Sequence, residues 1–123
     1  MSSDANYRKL IVWQKSIVLV RRIYEVTAAF RNEEKFGLVS QMRRAVVSIP
    51  SNIAEGQARR TTKDYVRFVS MSEGSLAELE TQLIIASDLK FCSNRAAKNC
   101  FDLMLEIRKM LGALRRSLMK KLK

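Results

Sequence analysis

The chain has 123 residues, 47% hydrophobic and 28% charged, with four Gly and one Pro, which is core material for a single domain spanning 1–123 and little for turns. That composition argues against many short strands, and no apolar run approaches the roughly 20 residues that span a bilayer, so integral membrane association is not expected. A formal net charge of +11 exceeds what solubility needs and points to an anionic partner, which is nucleic acid, an anionic membrane surface or an acidic protein.

A first helix is expected over about 10–30, where Leu10, Trp13, Ile17, Val20 and Tyr24 form one ridge and Leu19, Ile23, Val26 and Phe30 another. After the polar stretch from Arg31 to Lys35, a second helix is expected over about 36–59. Its apolar positions Leu38, Met42, Ala45, Ile49 and Ile53 keep helical steps straight through Pro50. One helix kinked at Pro50 is therefore expected, with a break there as the competing reading. Thr61-Thr62-Lys63-Asp64 offers a hydroxyl cap and an early acid for a third helix over about 62–90, carried by Tyr65, Phe68, Ser72, Leu76, Leu79, Leu83 and Ala86. Ser93 or Asn94 can cap a fourth over about 94–119, with Phe101, Met104, Ile107, Leu111, Leu114 and Leu118 as its stripe. Long helices joined by short connections must alternate in direction. The expected fold is all-α, an antiparallel up-down-up-down four-helix bundle. Val12, Val18, Val66 and Ile85 exceed what one buried stripe needs, which points to a subunit interface.

The sequence contains no histidine, so the usual general acid or base near neutral pH and the commonest metal ligand are both missing. Ser75 follows Gly74 inside a helical segment without the flanking glycines of a nucleophile elbow. Gly74 itself is expected to let another helix approach closely. Cys92 and Cys100 lack the spacing and partners of a zinc site and read as reduced thiols of a cytoplasmic protein. The start Met-Ser-Ser-Asp lacks the regions of a signal peptide. No catalytic residue, metal site or cofactor is assigned, and a non-enzymatic protein is expected. Arg44, Ser48, Asn52 and Glu55 form a polar ridge on the second helix, while Glu73, Glu78 and Glu80 lie on the third. Arg44, Ser48, Asn52, Glu55, Glu73 and Glu80 are read as a structural polar network across a helix pair or a subunit boundary, ahead of a ligand site or a metal.

The cations with the best claim to an anionic partner are Arg43, Arg44, Arg59, Arg60, Arg115, Arg116, Lys120 and Lys121. The last four belong to a run from Arg108 and Lys109 to Lys123 that contains no acid. A solvated helix face with a favourable end to its macrodipole is the plainer account of that run. Arg59 and Arg60, beside the turn after Gly56, are expected to act as a fixed guanidinium pair.

Arg43-Arg44-Ala45, the stretch Ser48-Ile49-Pro50-Ser51-Asn52-Ile53-Ala54-Glu55-Gly56, Gly74-Ser75-Leu76 with Glu78-Leu79-Glu80-Thr81, and Val12-Trp13-Gln14 resemble the four-helix-bundle proteins encoded in intervening sequences of bacterial 23S ribosomal RNA genes. The resemblance runs from about Tyr7 to Met119. It implies a compact antiparallel bundle that assembles as a ring of five subunits, with a role around ribosomal RNA. The accessory bundle proteins of diversity-generating retroelements, partners of a reverse transcriptase and nucleic acid, are similar in architecture, which is analogy of fold alone. No aromatic platform or Gly-x-x-Gly clamp for reading RNA bases is present. The leading expectation is a homo-oligomeric bundle that binds structured RNA through phosphate contacts. The alternative is a protein-interaction adaptor, for example for a nucleic-acid enzyme.

Overall fold

A computed structural model describes residues 6–34 and 36–122; Lys35, Lys123 and the Met-Ser-Ser-Asp start lie outside the described residues. Four helices carry the fold: α1 (Ile11–Ala28), α2 (Leu38–Gln57), α3 (Thr62–Asp88) and α4 (Asn94–Lys120). Single 3₁₀ turns at Asn6–Lys9 and Asn32–Glu34 precede α1 and α2. No strand occurs among the described residues.

Local chemistry sets the ends. The Thr61 hydroxyl accepts from the Asp64 backbone N–H and the Ser93 hydroxyl from that of Ala96, both at 3.1 Å, so two orphan donors at the helix starts are satisfied. Lys90, just past α3, takes a left-handed φ of 61°, which turns the chain so that the Phe91 N–H reaches the Ala86 carbonyl at 2.9 Å. α2 continues through Pro50 as one helix, the expected alternative to a break.

Contacts across each seam run in opposite chain directions. Arg43 of α2 reaches Thr27 and Tyr24 of α1, while Pro50 and Ala54 share a groove with Trp13 and Tyr7. The Ser72 hydroxyl of α3 donates to the Ile49 carbonyl of α2 at 2.9 Å, and Gly56 lies against Tyr65 and Phe68. Glu80 and Glu73 of α3 pair with Arg108 and Arg115 of α4 at 2.9 and 2.8 Å. Lys15 and Arg22 of α1 reach Glu106 and the Asn99 carbonyl of α4. The result is an antiparallel bundle in which α1 and α3 each pack between α2 and α4.

Its core is the inward stripe of each helix: Leu19 and Ile23, Met42, Ile49 and Ile53, Leu76, Leu79 and Leu83, Met104, Ile107 and Leu111, all fully buried. Each such side chain contributes about 1.5–3 kcal/mol by leaving water, and together they hold the helices in register. Two expectations need correction. Gly74 is exposed with open space around it, and the glycine that admits a neighbouring helix is Gly56. Of the surplus apolar positions, Val12 belongs to the core, Val18 and Val66 pack against it, and only Ile85 is exposed.

Candidate nucleic-acid interface

Alternating helix direction gathers charge from four separate stretches of sequence. The C-terminal ends of α2 and α4 and the N-terminal ends of α1 and α3 share one end of the bundle. Arg8 and Lys9 arrive there on the first 3₁₀ turn, Arg59 and Arg60 after α2, Lys63 and Arg67 on α3, Arg115, Arg116 and Lys120 on α4, and Lys121 just past it. These ten described cations face three described carboxylates, Glu55, Asp64 and Glu73. At the opposite end Arg21, Arg22, Arg31, Arg43, Arg44, Lys90, Arg95 and Lys98 face Glu25, Glu33, Glu34, Asp88 and Asp102, eight cations against five carboxylates. Most of the surplus positive charge therefore gathers at one end.

Six of the eight cations singled out from sequence meet at this end, namely Arg59, Arg60, Arg115, Arg116, Lys120 and Lys121. Arg60, Arg116, Lys120 and Lys121 are exposed and make no ion pair among the described residues. Arg115 is half-buried against Glu73. Arg43 and Arg44 lie elsewhere, about 20 Å or more along the axis from Gln57. Arg43 is a seam residue: its Nε donates to the Thr27 hydroxyl at 2.9 Å, and its guanidinium stacks 4.4 Å from the Tyr24 ring centroid. Sequence reasoning missed Arg8, Lys9, Lys63 and Arg67, because their clustering exists only once the helix ends are brought together.

The expected pairing of Arg59 with Arg60 is also revised, since Arg59 shares an aromatic ring with Arg67. Both guanidiniums stand 4.6 Å from the centroid of Phe68.

Within the chain the polar ridge of α2 and the acids of α3 do not meet. Glu55 pairs with Arg59 one turn on, whereas Glu73 and Glu80 bind α4. The Ser48 hydroxyl bonds its own helix at the Ala45 carbonyl. Arg44 and Asn52 make no side-chain bond among the described residues. The ridge at Arg44 and Glu55 lies on the exposed flank of α2, and the α3 carboxylates turn to the opposite side, toward α4.

A second surface runs along the α1–α2 seam, where Trp13, Ile17, Val20, Val47, Pro50 and Ala54 line an apolar groove that continues past Tyr24 to the exposed Phe36. Both cysteines are free thiols on the α1–α4 side. Burial pushes Cys92 up and Cys100 up to about 11, away from the thiolate form. Among the described residues no group of three or more His, Cys, Asp or Glu is placed to hold a metal ion, and no helix is long and apolar enough to cross a membrane.

Fold and surface together define the class, a small antiparallel four-helix bundle with one strongly basic end. The chain belongs to the family of 23S rRNA-intervening sequence proteins, whose family model matches residues 8–113. The match stops short of Arg115, so the last four cations of the basic end lie beyond it. A similar solved structure, from Bacteroides thetaiotaomicron VPI-5482, is described as a protein with unknown function from the S23 ribosomal protein family. It shares 22% identity at a TM-score of 0.80, over 86% of this chain and 96% of that one, a likeness of fold. No curated protein matches the chain.

Proposed function

We propose that the chain is a non-enzymatic, homo-oligomeric bundle of the cytoplasm that binds structured RNA, ribosomal RNA foremost, through its basic end. The observation that carries this reading is the charge asymmetry, ten described cations against three carboxylates at one end and eight against five at the other. Phosphates neutralised by Arg and Lys release condensed counterions, so such a surface binds any polyanion and orients it without reading bases. The family's link to 23S rRNA intervening sequences supports RNA as that polyanion. The apolar α1–α2 groove supports self-association, with five subunits as the number that the resemblance implies.

The test is a titration of the full chain against a ribosomal RNA hairpin and an unrelated duplex at several salt concentrations. Affinity should fall with salt, with a slope of roughly 0.7 per phosphate contacted on a single strand. Neutralising Arg116, Lys120 and Lys121 should weaken both RNAs alike and flatten the slope. Binding no tighter than millimolar near physiological salt would rule out nucleic acid and leave an acidic protein as the partner, the adaptor reading.

A further inference from the structure

Arg59 and Arg67 lie on different elements, one just past the end of α2 and the other in the second turn of α3, yet each guanidinium stands 4.6 Å from the centroid of Phe68. Gly56 makes this convergence possible. A Cβ there would come 2.7 Å from the Phe68 Cβ and 3.1 Å from the Tyr65 Cδ1, so only glycine lets α2 press this closely on α3. Each guanidinium is steadied on a second side, Arg59 by Glu55 at 3.3 Å and Arg67 by Asp64 at 3.7 Å, while 45% and 58% of the two side chains remain open to solvent. Phe68 itself is only 4% exposed, so it is a fixed plate and offers no face for a base to stack on. Among the described residues Arg60, Lys120 and Lys121 have neither ring nor acid to hold them.

We propose that Arg59 and Arg67, both stacked over Phe68, form a preorganised clamp for the phosphodiester groups of nucleic acid, with Phe68 as its positioning residue. The clamp rests on the reading that the basic end binds nucleic acid, and it names the part of that end that fixes geometry. The guanidiniums can be no farther apart than twice their distance from the shared centroid, a span that successive phosphates of one strand can meet. A planar fork stacked on a ring has already lost much of its rotamer freedom, so little more is lost when it grips a phosphate. The two carboxylates compete weakly. Exposed single-point pairs at these distances are easily exchanged for the two-pronged, charge-assisted bonds that a phosphate accepts. Arg60, Arg116, Lys120 and Lys121 supply attraction without fixed geometry.

The clamp predicts a difference between substitutions that keep the charge. With the full chain and an RNA hairpin, Arg59→Lys and Arg67→Lys should each weaken binding about fivefold, because lysine keeps the charge but loses the fork and the stack. Arg60→Lys and Arg116→Lys should change it less than about twofold, and none of the four should alter the salt slope. Unchanged thermal melts would confirm that the variants fold. A second measurement needs no variant: on titration of the wild type with RNA, the Nε–H resonances of Arg59 and Arg67 should shift before those of Arg21 and Arg95. Equal effects of all four substitutions, or Arg59 and Arg67 resonances that stay put at saturation, overturn the clamp and leave the basic end as a diffuse binder. Absence of RNA binding by the wild type overturns both.

Discussion

Two glycines show how differently one residue type can act. Gly56 sits where an added methyl would meet Phe68 and Tyr65, whereas Gly74 faces open space on α3. Gly56→Ala should therefore cost about 1–3 kcal/mol through overpacking, and Gly74→Ala should gain up to about 1 kcal/mol from helix propensity. Denaturant unfolding of the two variants checks both signs. The distinction was not legible in the sequence, because a glycine's neighbour on another helix is set by packing register and not by its own segment. Cys100 carries a second residue-scale consequence. Burial, offset in part by Arg22, moves its thiol from 9.0 up to about 11, so the unfolded chain ionises first. Its contribution is complete below pH 9 and is lost as pH rises toward 11. Stability of the wild type minus that of Cys100→Ala should decline across this window, and a flat difference would contradict the burial.

At the scale of elements the helices were legible and their joints less so. Periodicity repeats over many turns, and the capping hydroxyls of Thr61 and Ser93 mark the starts of α3 and α4 independently. The 3₁₀ turn at Asn6–Lys9 left no trace in the pattern, because a single turn has no period. The exit from α3 is the least comfortable joint, with Lys90 held at a φ of 61° where a side chain crowds its own backbone. Lys90→Gly should relieve this and raise stability by about 0.5–1 kcal/mol, read as a shift of the thermal melt. A decrease would mean that the Lys90 side chain contributes more than the backbone loses.

For the molecule as a whole, self-association is the property that the apolar α1–α2 groove addresses. Light scattering at micromolar concentration should give a mass several times the 14.1 kDa chain, and Val47→Glu in that groove should lower it. A wild type that scatters as a monomer would refute that use of the groove. The basic end was partly legible. Six of its ten cations were singled out as local clusters, and the other four follow once the directions of the helices are taken into account. Antiparallel neighbours also cancel one another's macrodipoles, so the field at that end comes almost entirely from side chains. The bundle consequently carries a permanent electric moment along its long axis. A diffusing chain is turned end-on toward a polyanion before the two touch, so its association rate, and not only its affinity, should collapse as salt rises.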